Sequence, residues 1–193
     1  MQWIAKRTAL ALVAGTLTLA LAGGPALAQD ADAAGEPGLG GQFFGSSGSE
    51  TTSGGGGNDF LFDNQGGDDF LSDSQGGNDF LLDDEGNDRA EGGPGSDRAN
   101  LGVGDDRIEG GESGDVLFGG TGNDSLFGGA GNDEIYGEDD DDTIQGEGGN
   151  DYLFSAEDGE IFGADDVQGG SGNDTCVVDE EDAVSNCENV IIR

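Results

Sequence analysis

From Asp88 to Asp151 an aspartate recurs at every ninth position: Asp88, Asp97, Asp106, Asp115, Asp124, Asp133, Asp142 and Asp151. A short period held this long restricts the chain to a repeat architecture, in which each unit buries its apolar side only by stacking on its neighbours. Each aspartate follows a glycine-rich tetrad and stands two positions before an aliphatic residue or alanine. Gly119 to Phe127 (GGTGNDSLF) and Gly128 to Tyr136 (GGAGNDEIY) are full copies of the unit GGxGxDxUx, where U is a large apolar residue.

These residue types in this order suit calcium, which takes six to eight hard oxygen ligands and accepts backbone carbonyls as readily as carboxylates. The glycines turn carbonyls toward one point at low strain, and the aspartate adds charge. The following x-U-x reads as a three-residue strand, its middle side chain pointing opposite to its neighbours. Turn chemistry alone would accept asparagine, serine or aspartate in the fixed slot. All eight repeats hold aspartate there.

On these motifs the chain resembles the RTX family of hemolysin-type calcium-binding repeats, over roughly Gly54 to Thr175. The resemblance implies an all-β fold, a right-handed parallel β-roll or β-solenoid, with two nonapeptides per turn and calcium held between stacked bends. Repeats two apart then stack. One column joins Asp97, Asp115, Asp133 and Asp151, the other Asp88, Asp106, Asp124 and Asp142, and three gaps per column give six sandwiched ions. Asp174 belongs to a last repeat, GGSGNDTCV (Gly169 to Val177), and is a further expected metal ligand. Some slots depart from the motif. Ser113 and Asp140 replace the fourth-position glycine, and Glu138 and Glu147 the second, so the bends using them match the calcium motif least well.

Charge supplies a mechanism. The chain has 42 acidic and 6 basic residues and no histidine, a net charge of −36 that becomes −38 if a leader carrying Lys6 and Arg7 is removed. The inward ladder is thin: Ala90, Ala99, Ile108, Leu117, Leu126, Ile135, Ile144 and Leu153. High charge with little apolar area is the signature of disorder. With a site Kd of ~0.1 mM and ~1 mM free calcium, linkage supplies about 1.4 kcal/mol per site. An unfolded metal-free form and a folded calcium form are therefore expected.

Lys6 and Arg7 precede an apolar run from Thr8 to Leu21, followed by Ala26, Leu27 and Ala28. This is the pattern of a secretory signal peptide with an A-x-A cleavage site, giving a mature start at Gln29 and a secreted or cell-surface location. The 14-residue run is short of the ~20 needed to span a bilayer. Cys176 and Cys187 are the two cysteines, and export to an oxidising compartment favours a disulfide between them. Val190, Ile191 and Ile192 are expected to cap the open end of the solenoid.

The expected organisation is a signal peptide at 1–28, a flexible Gly/Ser-rich linker at 29–56, divergent ten-residue repeats at 57–85, the nonapeptide roll at 86–177 and a C-terminal cap at 178–193. The ten-residue repeats carry Asp59, Asp69 and Asp79 with extra aspartates at Asp63, Asp73 and Asp83. They read either as roll turns that bind calcium differently or as an N-terminal cap. Between Asp151 and Asp174 the spacing becomes 14 and then 9 through Asp165, leaving five extra residues near 156–162 for a surface loop.

Phe118, Tyr136 and Phe154 are 18 apart, on successive rungs of one outer face. Such a ladder stabilises neighbouring strands, or offers a strip for a surface polymer or protein. The leading function is a secreted calcium-binding roll with a structural or adhesive role. An ice-binding or carbohydrate-binding roll is the alternative, although a flat threonine row is lacking, with only Thr121 at the third loop position. An enzyme is disfavoured because there is no histidine and the aspartates are committed to the repeats, which leaves only carboxylate hydrolase chemistry. The charge disfavours nucleic acid.

Overall fold

The structure, a computed structural model, describes residues 40–45, 48–63, 65–156 and 163–193. The signal peptide expected at 1–28 and most of the extra loop at 156–162 lie outside the described residues.

Among those residues every regular element is a strand. In chain order they are β1 (Gln42–Phe44), β2 (Thr51–Ser53), β3 (Phe60–Phe62), β4 (Phe70–Ser72), β5 (Phe80–Leu82) and β6 (Arg89–Pro94). The central rungs are β7 (Arg98–Val103), β8 (Arg107–Glu112), β9 (Val116–Thr121), β10 (Ser125–Ala130), β11 (Glu134–Asp139) and β12 (Thr143–Gly149). The last are β13 (Tyr152–Phe154), β14 (Asp166–Gly172), β15 (Thr175–Val178), β16 (Ala183–Ser185) and β17 (Asn189–Ile192).

Odd-numbered strands form a nine-stranded sheet and even-numbered strands an eight-stranded one, each in sequential order. Every pairing is parallel, and the chain passes from one sheet to the other at each bend, so two repeats make one turn of a parallel β-solenoid. The register in the nonapeptide region is 18 residues, as in Leu117↔Ile135 and Ile108↔Leu126. With strand period two, that register stacks every U side chain on its counterpart. Ala90, Ala99, Ile108, Leu117, Leu126, Ile135, Ile144 and Leu153 are all buried, and Leu61, Leu71, Leu81, Val167 and Cys176 extend the same core.

The central strands are longer than the three residues of x-U-x. From β6 to β11 they span six residues, because pairing continues past the U segment into the first half of the next bend, as in Gly120↔Glu138 and Thr121↔Asp139.

The linker expectation is corrected at two segments. Gln42–Phe44 and Thr51–Ser53, inside 29–56, are the first strands of the two sheets, and Phe43 is 6% exposed in the core, filling the U position opposite Leu61. The ten-residue repeats are rungs too. Their extra residue is absorbed in the bends, so that Phe60 pairs with Phe80 and Phe70 with Arg89. Across the five extra residues after Asp151 the register lengthens to 23, as Thr143 pairs with Asp166 and Leu153 with Cys176.

At the C-terminal end Cys176 is bridged to Cys187, with 6.1 Å between Cα atoms, tying β15 to the segment before β17. Val190, Ile191 and Ile192 end the stack as its last strand. They belong to β17, paired with β15, and stay 47–63% exposed because the last strand of a stack has a neighbour on one side only. Among the described residues no helix is long and apolar enough to cross a membrane.

Candidate metal centre

Each strand from β3 to β15 is entered through an aspartate, and strands two apart are stacked, so these aspartates line up along the two edges of the solenoid. Asp59, Asp79, Asp97, Asp115, Asp133, Asp151 and Asp174 lead into odd strands. Asp69, Asp88, Asp106, Asp124, Asp142 and Asp165 lead into even strands. All are at most 4% exposed. The columns are thus longer than the four-membered ones read from the period, and Asp165 takes the expected slot after the break.

Hydrogen bonding fixes one oxygen of each carboxylate. The Oδ1 of Asp115 accepts the Asp97 N–H at 2.8 Å and the Oδ1 of Asp133 accepts the Asp115 N–H at 2.9 Å. The other column does the same from Asp106 to Asp124 and from Asp124 to Asp142, at 2.8 Å each. At the C-terminal end the role passes to Glu188, whose Oε2 accepts the Asp174 N–H at 2.9 Å, and to Asp182, whose Oδ1 accepts the Asp165 N–H at 3.1 Å. Neither Glu188 nor Asp182 stands in the repeat phase, so no spacing pointed to them.

The second oxygen is left over. The Oδ2 atoms of Asp69, Asp79, Asp88, Asp97, Asp106, Asp115, Asp124, Asp133, Asp151 and Asp174 are buried without a hydrogen-bond partner. Rows of buried anionic oxygen without donors are costly unless a cation compensates them. The first-position glycine shows what surrounds them. A Cβ on Gly110 would lie 2.5 Å from Asp115 Oδ2 and 2.7 Å from the Gly128 carbonyl oxygen, and one on Gly92 would lie 2.6 Å from Asp97 Oδ2 and 2.7 Å from the Gly110 carbonyl oxygen. Carboxylate and carbonyl oxygens of successive rungs therefore converge beside a residue with no side chain. This all-oxygen set fits calcium.

Burial, the largest influence, raises the carboxyl groups of Asp69, Asp79, Asp88, Asp97, Asp106, Asp115, Asp124, Asp133 and Asp151 above the usual aspartate range, and neighbouring carboxylates add to it. Asp97, Asp106 and Asp151 rise to about 6, Asp124 to about 7 and Asp115 to about 8. Without a counter-charge the sites favour protons, and a bound divalent cation would reverse that preference.

The four motif departures keep the backbone shape that glycine holds elsewhere. Ser113 and Asp140 have φ of 75° and 80°, and Glu138 and Glu147 have 76° and 68°, a region costly for residues with a Cβ. The bends are conserved in form at the expense of local strain. A further departure escaped the sequence reading: Leu101 occupies a first-position slot, aligned with Gly119, and is fully buried in the core.

Outside the aspartate columns runs a second ladder with the same period. The fifth-position side chain accepts the N–H of its counterpart one rung on, as from Ser96 to Asn78, Asn123 to Asp105 and Asn150 to Asn132 at 3.0, 3.0 and 2.7 Å. Asparagine or aspartate recurs at that slot because only a short side-chain acceptor reaches.

On the outer face Phe118, Tyr136 and Phe154 do form a ladder, with centroids 4.9 Å apart in a parallel stack and then 5.8 Å apart and tilted. Arg98 lies 4.8 Å over Phe118 and Arg193 5.1 Å over Phe154. On the opposite sheet Arg107 lies 4.2 Å over Phe127 and pairs with Glu109 at 2.9 Å. These cations serve the outer faces, and the buried columns hold none of them.

The chain matches the family described as RTX calcium-binding nonapeptide repeat (4 copies) over residues 44–75, 73–108, 101–135, 109–142, 127–158 and 162–177. No curated protein matches it.

Proposed function

Because the chain belongs to the RTX calcium-binding nonapeptide repeat family, we propose that it is a secreted protein that folds on binding calcium outside the cell and acts there as a structural or adhesive element. One observation carries the calcium part of this reading: two columns of buried aspartates in which the Oδ2 atoms of Asp97, Asp115, Asp133 and Asp151 on one edge and of Asp88, Asp106 and Asp124 on the other have no donor. The location follows from Lys6, Arg7, the apolar run to Leu21 and the A-x-A sequence ending at Ala28. In a calcium-poor cytosol the chain stays unfolded and exportable, and in a medium of ~1 mM calcium its sites fill.

A binding role is favoured over catalysis. The chain has no histidine, and each column carboxylate already holds the backbone of its neighbour through Oδ1. Asp88, Asp97, Asp106, Asp115, Asp124, Asp133, Asp142, Asp151 and Asp174 are the proposed calcium ligands of the nonapeptide region. The stacked Phe118, Tyr136 and Phe154 support a second role for the outer face, as a strip for a cell-surface polymer or protein.

Fractionation of cells expressing the full chain tests the location. The expected result is protein in the medium or on the envelope, starting at Gln29 by mass spectrometry and released from the envelope by a calcium chelator. Recovery from the cytosol with residues 1–28 intact would overturn it.

A further inference from the structure

At the N-terminal end of the roll the ten-residue repeats place a carboxylate in the slot that opens each later bend, filled there by Gly92, Gly110 and Gly119 and by Leu101. Asp73 aligns with Gly54 on one side, whose N–H donates to the Ser72 carbonyl at 3.0 Å, and with Gly92 on the other, since Ser72 pairs with Glu91. Asp63 and Asp83 occupy the same slot on the opposite edge, where Phe62 pairs with Leu82 and Leu82 with Asn100.

Two groups of three carboxylates result. One joins Asp59, Asp73 and Asp79, the other Asp63, Asp69 and Asp83, and within each group one carboxylate oxygen per residue lies within 4.8 Å of the other two. All six residues are at most 5% exposed. A cluster of acids alone would say little, but a second observation points into each. The Oδ2 atoms of Asp73 and Asp79 in the first group, and of Asp69 and Asp83 in the second, are buried with no hydrogen-bond partner. Their Oδ1 atoms are engaged: Asp73 accepts from Gln75 N–H at 3.0 Å, Asp79 from Asp59 N–H at 2.7 Å, Asp69 from Glu50 N–H at 2.7 Å and Asp83 from Asp84 N–H at 2.9 Å. One oxygen of each is thus held by backbone while the other is buried inside its triad without a donor. Arg89 lies on the outer face, 5.5 Å over the Phe70 ring and paired with Glu91 and Glu109, so it does not supply the counter-charge.

We propose that these two triads are a second class of calcium site, distinct from the glycine cradles of the later repeats, and that they fill first. The reasoning is the ligand charge. A later bend supplies one buried aspartate per rung and completes the set with carbonyls, whereas each triad brings a third carboxylate to the same point, and calcium affinity rises with the number of charged ligands. Loaded triads then order β3, β4 and β5 and present a finished rung on which the nonapeptides stack, since each solenoid turn is stabilised by its neighbour. The extra aspartates of the ten-residue repeats are in this account the device that starts the roll from its N-terminal end.

This inference rests on the calcium-binding reading above, and one experiment separates the two. The mature chain is dialysed against buffered calcium and bound ions are counted per chain. The expected isotherm has two ions bound at free calcium at least about tenfold below the midpoint of the remaining class. Asp73→Gly, which restores the residue found at the aligned positions, and Asp83→Gly each remove one tight ion while the weaker, cooperative class persists. Asp73→Asn, of unchanged size, gives the same loss if the glycine variant folds poorly. A single affinity class, or tight ions unaffected by both substitutions, overturns the triads and leaves the nonapeptide columns standing. No calcium binding by the unaltered chain overturns both.

Discussion

Gly110→Ala puts a methyl group where Asp115 Oδ2 and the Gly128 carbonyl oxygen converge, at 2.5 and 2.7 Å from the new Cβ. Asp115 is 1% exposed, so its carboxylate has no solvent space into which to swing, and the carbonyl is backbone. Overpacking of this kind costs about 1–3 kcal/mol. Displacing the carboxylate also removes a ligand, which forfeits the linkage at that site, about 1.4 kcal/mol at ~1 mM calcium and about 2.7 kcal/mol at ~10 mM for a Kd of ~0.1 mM. The matched control is Gly148→Ala, whose Cβ would meet nothing closer than Ser171 Oγ at 3.6 Å. That change is expected to be neutral or to stabilise by about 0.4–1 kcal/mol through the unfolded chain. Urea unfolding followed by circular dichroism at the two calcium concentrations reads both variants. The gap between Gly110→Ala and the unaltered protein should widen by about 1.3 kcal/mol as calcium rises. A gap that does not change with calcium would refute the placement of a cation beside Asp115 and leave only a steric clash.

Three further outcomes follow from the same geometry. Because the folded metal-free roll binds protons on Asp97, Asp106, Asp151, Asp124 and Asp115 at about 6 to 8, well above the 3.8 of ordinary aspartate, these groups favour the fold below 3.8 and the benefit is lost as pH rises through 6 to 8. In chelator the β signal should therefore increase on acidification, while the calcium midpoint falls as pH rises from about 5 to about 8, and a pH-independent midpoint would contradict this. Ser113→Gly relieves a φ of 75° and should raise stability in saturating calcium by about 1 kcal/mol in the same urea assay. Reduction of Cys176–Cys187 removes a cross-link worth roughly 3 kcal/mol in the chain-entropy model. Limited proteolysis should then cut β16 and β17 before the central rungs, and equal cleavage throughout would show the bridge to be irrelevant to the C-terminal end.

The nonapeptide core was legible because its signal is periodic in both chemistry and polarity. Leu117, Leu126 and Ile135 stand at the inward slot and their aspartates at the edges, and an 18-residue turn brings like to like. Where a second period intervened, legibility failed for a physical reason. Gln42–Phe44 and Thr51–Ser53 lack the aspartate and look like linker, yet a solenoid rung needs little beyond one inward side chain and a neighbour to pair with, which Phe43 and Leu61 provide. The triads of the ten-residue repeats were visible as extra aspartates, but their convergence depends on the bend conformation. Asp182 and Glu188 take over the ends of the columns through tertiary placement alone.

The central claim is that calcium, held by the aspartate columns, converts a chain of net charge −36 into the parallel solenoid. Far-UV circular dichroism of the mature protein at about pH 8, first in chelator and then through a calcium titration, tests it most directly. The account predicts a disordered spectrum in chelator, a cooperative gain of β signal at about 0.1 to 1 mM calcium and no such gain with magnesium, which resists giving up its waters. A β spectrum already complete in excess chelator and unmoved by calcium would contradict it.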